Sequence, residues 1–422
     1  DDPAGFVFGE NEDQNVIKCG SWTQGSGVFT AYLGWEPQWI MHKRSDGAGS
    51  WEIFDTMRGW GETGFKRGLK ADATDAEDSS LTDDSTPTAT GFTFDPWYSD
   101  GEEVIFVAIR RPDGYVGKQY GAGEGTGVFA MDYGSSSSTI PTFDSGFPVD
   151  FSIVKKPAAT DNWYTGARLV QTKSLKTDTT DAEATYSNWL FDSNVGWATG
   201  SNNTYLSYNW KRHAGFDCIF YKGDGVAGRQ ITHNLGPNNV PEMIWIKRRD
   251  TSGNAGDWMV GHKGLNGGSS PWNKYLVLNK NQEEYSDNNP FNNVAPTTTA
   301  FQLSDWDRVN ANNSFYMALL FSSTDVSKVG SYSGSNSSQT ITVGFQPRFL
   351  IIKNYTSAEN WQVVDTTRGW ASGNDKILAL NSSGEQSTWF DIGAPTSTGF
   401  TLTGGDGVWN ANGESYVYYA HA

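Results

Sequence analysis

Short runs of apolar residues, separated by polar stretches, make up most of the chain. Near its end, residues 339–343 alternate between polar and apolar, whereas residues 349–353 are almost continuously apolar. Alternation with period two predicts a strand with one buried face, and a short apolar run predicts a strand covered on both faces. The stretches between these runs are rich in Gly, Ser, Asn and Asp, which favour turns. The pattern therefore predicts about six short strands per hundred residues, as in an antiparallel β-sandwich or jelly roll.

Four sequence elements recur in the same order along the chain. The first is Asp-x-x-Arg-Gly-Trp, at residues 55–60 and 365–370. The second is Pro-Thr-x-Thr-Gly-Phe or a close variant, at residues 87–92, 296–301 and 395–400. The third is an apolar strand that ends in Lys, at residues 39–43, 151–155, 243–247 and 349–353. The fourth is a closing strand, at residues 104–109, 204–210, 315–320 and 416–420. Ordered agreement of this kind predicts tandem copies of one unit.

This recurrence divides the chain into four predicted β-sandwich units, numbered in chain order as residues 1–110, 111–212, 213–322 and 323–422. Unit 2 is divergent, because it lacks the Pro-Thr-x-Thr-Gly-Phe element. Aromatic residues make up 14% of the chain and Gly occurs 48 times, which suits short strands joined by tight turns. We therefore expect an all-β protein built of tandem antiparallel, jelly-roll-like sandwich repeats.

The most specific repeated pattern combines an Asp, an Arg, a Gly and a Trp. It occurs twice, as Asp55, Arg58, Gly59 and Trp60, and as Asp365, Arg368, Gly369 and Trp370. An Asp and an Arg three residues apart at a strand end can pair, the Gly can take a positive φ, and the Trp can close the core edge. The other interpretation is a sugar site, in which the Trp stacks beside a charged pair. Because the pattern is replaced in the middle units, the structural interpretation is favoured.

Acidic residues cluster in equivalent loops of units 1 and 2. The carboxylates are Asp75 and Glu77 in one loop and Asp181 and Glu183 in the other. Loop carboxylates with nearby carbonyls can bind Ca²⁺, although the spacing is not that of an EF-hand. These four residues are weak candidate metal ligands, with solvated loops as the alternative. Nothing else in the sequence indicates a cofactor.

Several tryptophans are candidates for stacking on sugar rings if they are exposed. We single out Trp97, Trp197 and Trp409 as candidate glycan-binding residues. The alternative is that these side chains fill the cores of the predicted sandwiches, as large aromatic side chains commonly do.

Charge and motif content exclude several functions. With 48 acidic and 31 basic residues the formal charge is −17, which repels nucleic-acid phosphates. No apolar run is long enough to cross a bilayer, so membrane insertion is not expected. The five histidines form no H-E-x-x-H motif, and no G-x-S-x-G nucleophile motif is present. We therefore expect a protein that is not an enzyme.

Several segments resemble a repeat module of tailed bacteriophages, including marine and cyanophage-type ones, found in virion structural and tail-fibre-like proteins. The segments are residues 6–14, 17–20, 34–40, 55–59, 107–112, 232–236 and 241–244. The resemblance extends over essentially the whole chain and is weakest in unit 2. It implies a virion structural protein, located in the virion, and brings no catalytic residues.

Together these observations predict a fibre, a tail or collar appendage, or a capsid-surface component of a phage. Its expected partners are other virion proteins, further copies of itself because virion parts assemble symmetrically, and host cell-surface glycans. The alternatives are a carbohydrate-binding adhesin and, less favoured, a polysaccharide depolymerase.

Overall fold

A computed structural model describes the chain at residues 16–60, 66–81, 85–88, 90–94, 98–110, 116–136, 141–200, 202–286 and 289–422. These residues form almost only antiparallel strands, which confirms the predicted all-β sandwich-type fold. The one α-helix of this part of the chain is a single turn, α1 (Asp307–Asn310), and the remaining helical turns are short 3₁₀ segments. In the same residues no helix has the length and apolarity needed to span a bilayer.

The strands within predicted unit 1 form one large and one small sheet. They are β1 (Ile17–Thr23), β2 (Phe29–Tyr32), β3 (Pro37–Arg44), β4 (Glu52–Asp55), β5 (Lys66–Lys70), β6 (Asp78–Leu81), β7 (Thr86–Thr88), β8 (Gly91–Phe94) and β9 (Glu103–Arg110). The large sheet has the order β1-β9-β3-β4-β5-β6 and the small sheet the order β2-β8-β7.

Predicted unit 2 has the same plan. Its strands are β10 (Phe129–Tyr133), β11 (Phe143–Asp144), β12 (Phe151–Lys155), β13 (Tyr164–Ala167), β14 (Lys173–Lys176), β15 (Ala184–Thr185), β16 (Gly196–Trp197) and β17 (Leu206–Trp210). The large sheet runs β10-β17-β12-β13-β14-β15, and β11 pairs with β16. The divergence of the sequence in this unit therefore leaves the order of the strands unchanged.

Predicted unit 3 has a five-stranded large sheet. Its strands are β18 (Phe216–Lys222), β19 (Arg229–Thr232), β20 (Met243–Arg248), β21 (Trp258–His262), β22 (Leu276–Val277), β23 (Ala300–Leu303) and β24 (Phe315–Phe321). The order is β18-β24-β20-β21-β22, and β19 pairs with β23.

Predicted unit 4 again has six strands in its large sheet. Its strands are β25 (Ser327–Ser333), β26 (Gln339–Thr342), β27 (Phe349–Asn354), β28 (Gln362–Asp365), β29 (Asp375–Ala379), β30 (Ser387–Phe390), β31 (Pro395–Thr396), β32 (Gly399–Leu402) and β33 (Ser415–His421). The large sheet runs β25-β33-β27-β28-β29-β30 and the small sheet β26-β32-β31. In all four large sheets, the first strand pairs with the last, which then pairs with the apolar strand that ends in or near Lys.

Each large sheet packs its inner face on the small sheet of its own unit, which gives every unit a separate core. The strand β27 shows why its sequence is continuously apolar. Leu350 and Ile352 belong to the core inside unit 4, whereas Phe349 and Ile351 point to the opposite side. Both faces are therefore buried, as the unbroken apolar run predicts.

The opposite, outer faces of the large sheets of units 2, 3 and 4 pack together and form a further hydrophobic core that these three units share. This shared core takes the outer-face side chains of units 2, 3 and 4 into one cluster. Representative members are Ile153 of unit 2, Trp245 of unit 3 and Ile351 of unit 4, which occupy equivalent positions in β12, β20 and β27. Units 2 to 4 thus bury both faces of their large sheets, and much of the aromatic content of the chain lies there.

Candidate functional site

The junctions around the shared core are built from one tryptophan per unit. Trp163, Trp258 and Trp361 stand at equivalent places, at or just before the strand that follows the apolar strand. Each indole N–H donates to a backbone carbonyl of a neighbouring unit: Trp163 to Ala379 (2.9 Å), Trp258 to Lys176 (2.8 Å) and Trp361 to Val277 (3.4 Å). The donors therefore link unit 2 to unit 4, unit 4 to unit 3 and unit 3 to unit 2, which closes a ring.

The lysines that end the apolar strands repeat this ring. Each ammonium group donates to a carbonyl in the neighbouring unit: Lys155 to Ser383 (2.8 Å), Lys247 to Thr180 (3.1 Å) and Lys353 to Asn281 (3.1 Å). Burial in the junctions lowers the pKa of Lys247 to about 8 and that of Lys353 to about 7. A recurring sequence element thus marks the contacts between units.

A third set of bonds links the backbones of the same neighbours. The donors and acceptors are Glu183 N–H to Arg249 O (2.8 Å), Glu284 N–H to Tyr355 O (2.9 Å) and Gln386 N–H to Pro157 O (2.8 Å). Three independent sets of equivalent bonds give the block of units 2 to 4 a pseudo-threefold arrangement. Backbone groups bonded in this way hold the three sheets in one geometry.

The second copy of the Asp-x-x-Arg-Gly-Trp pattern lies at one of these junctions. Asp365 accepts from Arg368 Nε at 2.6 Å and from the Arg368 backbone N–H at 2.8 Å, and both side chains are fully buried. The hydroxyl of Tyr208, in unit 2, donates to Asp365 at 2.8 Å. Burial raises the pKa of Tyr208 well above its usual range. The pair therefore holds the turn of its own unit and also contacts unit 2.

The first copy has the same local geometry in a more open setting. Arg58 Nε lies 2.6 Å from Asp55, and the Arg58 guanidinium also lies 3.2 Å from Glu77. Gly59 has a φ of 103°, as the turn requires. Trp60 is buried and donates from Nε1 to Ser85 Oγ at 3.1 Å.

In the second copy, the Gly and the Trp take the same places. Gly369 has a φ of 105°, and Trp370 is buried with its Nε1 2.8 Å from the Gly393 carbonyl. Neither this indole nor that of Trp60 presents a face to a sugar ring, so both act as core side chains.

The prediction of glycan-binding tryptophans is wrong for two of the three candidates. Trp197 is completely buried, stacks on Phe191 at 4.8 Å and donates to Asn209 at 2.9 Å. Trp409 is also buried, and its Nε1 lies 3.2 Å from Thr403. Both rings are enclosed in sandwich cores, so stacking on a sugar at these positions is ruled out in this structure. Trp97 lies outside the described residues.

An exposed aromatic pair that the sequence pattern does not mark lies on β30. Trp389 is 80% exposed and Phe390 is 50% exposed, on the edge strand of the unit 4 large sheet. The equivalent edge strands β6 and β15 carry no aromatic residue. An exposed indole on a rigid strand can stack on a sugar or anchor a protein partner. No periodicity distinguishes such a side chain from a buried one, because a Trp in a short strand is usually buried.

The candidate metal ligands are paired with basic side chains. The ion pairs are Lys70–Asp75 (3.3 Å), Arg67–Glu77 (3.0 Å), Lys176–Asp181 (2.9 Å) and Arg249–Glu183 (2.8 Å). Among the residues that the structure describes, no cluster of three or more His, Cys, Asp or Glu side chains could hold a metal ion. The loop carboxylates therefore act as ion-pair partners here, and Glu183 joins units 2 and 3.

A cleft of about 500 Å³ lies between the small sheet of unit 1 and strands β18 and β19 of unit 3. Its polar wall is a buried network in which Arg212 contacts both Glu36 and Asp217. The second oxygen of Asp217 accepts from the Asn234 backbone N–H at 2.8 Å. These charges satisfy one another and join units 1, 2 and 3, so the network holds the units together and does not form a convergent acid–base pair.

His233 lines the same cleft, and its Nε2 lies 3.0 Å from the Thr297 carbonyl. Burial lowers the pKa of His233, so the ring is neutral near pH 7. The neutral ring of His233 therefore stabilises the loop that follows β19 through its hydrogen bond to Thr297.

No curated protein and no solved structure matches the chain. One family model matches residues 165–422, which begin in β13 and extend through units 3 and 4. Because the match covers more than half of the chain, the protein belongs to the family described as a domain of unknown function, DUF7483.

Proposed function

We propose that this chain is a non-enzymatic structural protein of a tailed-phage virion, in which it assembles with other virion proteins. The observation that carries the proposal is the shared core, in which three sandwiches close around one hydrophobic cluster through a ring of equivalent bonds. Such a block has little freedom to bend, because its sheets are buried on both faces. Rigidity of this kind suits a component that transmits force or sets a distance.

The assignment to a virion is supported by the resemblance of segments such as residues 6–14 and 107–112 to phage virion and tail-fibre-like proteins. Further support comes from the chemistry of the candidate metal ligands, since Asp75, Glu77, Asp181 and Glu183 each pair with a Lys or Arg. Charged side chains that pair with one another stabilise the fold.

Mass spectrometry of purified phage particles tests this proposal. We expect the chain in stoichiometric amounts in intact particles, and averaged electron-microscopic maps that contain density for its three-sandwich block. Recovery only from the soluble lysate, with none in banded particles, would contradict a virion role.

A second candidate function is attachment to host-surface carbohydrate, and the exposed side chain of Trp389 is the specific observation that favours it. In this function the indole stacks on a sugar ring, and neighbouring polar side chains bind its hydroxyl groups. A glycan array with the full chain and with Trp389→Ala tests it, with Tyr32→Ala as a control at another highly exposed aromatic residue. Loss of a glycan signal in the Trp389 variant alone is expected. Absence of any bound glycan would contradict attachment to host-surface carbohydrate.

Depolymerase activity is examined in the same way. Incubation of the purified chain with host polysaccharide is expected to leave the polymer length unchanged. Shortening of the polymer would replace the structural proposal with an enzymatic one.

A further inference from the structure

The large sheet of unit 1 has an outer face that differs from those of the other units in what covers it. The outer face of unit 1 consists of Ile17, Cys19, Trp39, Met41, Ile53, Leu69, Ile105 and Val107, with Lys43 and Trp51 at its edge. Ile17 is 42% exposed and Ile105 is 37% exposed, and Trp39, Met41, Ile53 and Val107 are only half-buried. The inner face of the same strands, with Ile40 and Phe54, is fully buried.

Strand pairing relates these residues one by one to members of the shared core. Met41 pairs with Val107 across β3 and β9. The same register pairs Ile153 with Tyr208, Trp245 with Leu319 and Ile351 with Tyr419 in the other three units. All six of these counterparts lie in the shared core. The outer face of unit 1 therefore carries apolar side chains at positions that the other units bury against two equivalent sheets.

Unit 1 also retains the polar groups that form the junctions. The backbone N–H of Trp51 is bonded to Asp72, as that of Trp361 is bonded to Asn381. Lys43 donates to the Gly49 carbonyl at 2.8 Å within its unit. These matches place Trp51 and Lys43 at the junction positions of the tryptophan and lysine that donate to a neighbouring unit in the shared block.

The opposite edge of unit 1 presents the matching acceptors. By the same register, the counterparts of the accepting carbonyls are those of Lys70, at the end of β5, and of Thr74, in the loop that follows. A cleft of about 400 Å³ beside them is lined by acidic side chains, including Asp75, Glu77 and Asp78. Lys43 lies on the donor edge, whereas the cleft on the acceptor edge is lined by four carboxylates and one lysine, so the two edges are complementary in net charge.

Units 2 and 3 contact unit 1 at places other than this outer face. Arg212 contacts Glu36, and Gln171 donates to the Met57 carbonyl at 2.8 Å, at the strand ends before β3 and after β4. The cleft toward unit 3 is lined by Thr86 and Thr93 of the small sheet. In the part of the chain that the structure describes, these contacts lie at strand ends and on the small sheet of unit 1, and not on the outer face of its large sheet.

We propose that three copies of this chain associate through the outer faces of their first units and form a trimer whose centre repeats the shared core with true threefold symmetry. Within one chain, the same junction closes after three sandwiches, so three copies are the number expected at an equivalent junction. Each Trp51 would donate to the Lys70 carbonyl of the next copy, and each Lys43 to its Thr74 carbonyl. The proposal is independent of the virion role, since it concerns the purified chain alone.

Light scattering coupled to size-exclusion chromatography on the full chain is the deciding measurement. The expected mass is three times the 46.3 kDa of one chain. Met41→Asp places a carboxylate in the centre of the interface and is expected to give the single-chain mass. Tyr32→Asp, at a position that is 74% exposed on the small sheet, is the matched control and is expected to remain trimeric.

A thiol assay separates loss of assembly from loss of folding. Cys19 is exposed in the single chain, whereas its counterpart Cys218 is buried in the shared core. Cys19 should therefore be protected from a thiol reagent in the wild type and react in Met41→Asp, while Cys218 stays protected in both. A single-chain or two-chain mass for the wild type at every soluble concentration would overturn the trimer, as would a Met41→Asp variant that keeps the triple mass.

Discussion

Asp365 shows at the scale of a single residue how the junctions are stabilised. Its carboxylate is buried and accepts from Arg368 and from Tyr208 of unit 2. Removing one member of a buried ion pair leaves the other charge uncompensated, which costs about 3–5 kcal/mol. The repeated sequence pattern marks this Asp and Arg, but only the fold shows that a tyrosine from another unit completes the group.

Asp365→Asn is therefore expected to lower the free energy of unfolding by about 3–5 kcal/mol, measured by urea denaturation. Asp55→Asn is the matched control, because its pair is partly exposed and Arg58 retains Glu77 as a second partner. The control should cost about 1 kcal/mol or less. Equal losses in the two variants would show that burial and the Tyr208 contact add nothing.

Buried histidines make stability depend on pH. Burial lowers the pKa of His213 and of His262 to about 3, compared with 6.5 in the unfolded chain. Between these values the unfolded chain binds protons that the folded chain does not, so the free energy of unfolding falls as the pH is lowered. The loss is at most about 1.4 kcal/mol per pH unit for each histidine.

His262→Gln should therefore flatten the decline in unfolding free energy between about pH 7 and pH 5, measured by thermal denaturation at each pH. Gln can still accept from the Gly264 backbone N–H, which His262 Nδ1 binds at 2.9 Å. Burial raises the pKa of Asp375 to about 6, which acts in the opposite sense. The comparison is consequently made between the two chains, and identical slopes would contradict the prediction.

At the scale of the element, turns depend on glycines in the left-handed region. Gly369 has a φ of 105°, and a Cβ there would meet no atom within 4 Å. The cost of Gly369→Ala is therefore conformational and should be about 1–3 kcal/mol, seen as a lower Tm. Gly127→Ala is the control, since that site is equally open and has no positive φ. A Tm shift as large in the control as at Gly369 would refute the conformational cause.

Strand prediction succeeds where the apolar pattern is strong and fails where it is weak. The apolar run at residues 349–353 predicts a strand covered on both faces, and β27 has that environment. The strands β25 and β30 have no comparable pattern, because β25 is mostly polar, β30 has only four residues and both lie at an edge of their sheet. Such strands form because a neighbouring strand offers backbone hydrogen bonds, and that information lies far away in the sequence.

At the scale of the whole molecule, we expect the shared core to make units 2 to 4 one folding body. Units 2 to 4 contribute to one cluster, whereas unit 1 has a core of its own. A fragment of residues 116–422 is therefore expected to fold and to keep the main calorimetric transition. A fragment of residues 165–422, which the family model covers, lacks Phe151 and Ile153 of the shared core and should unfold at lower temperature. Equal stability of both fragments would contradict a single cooperative block.

The sequence by itself determines the class of fold, the strand-and-turn composition and the recurring positions, because period-two alternation, glycine turns and repeated motifs are local properties of a chain. The division into four units remains a prediction, with which the common strand order agrees. The tertiary structure alone decides which tryptophans are buried, since Trp197 and Trp389 look alike in the sequence yet differ completely in exposure. It also decides that the outer faces of units 2, 3 and 4 pack on one another within the chain and that the outer face of unit 1 does not join them. The reason is that burial depends on contacts between residues far apart in the chain.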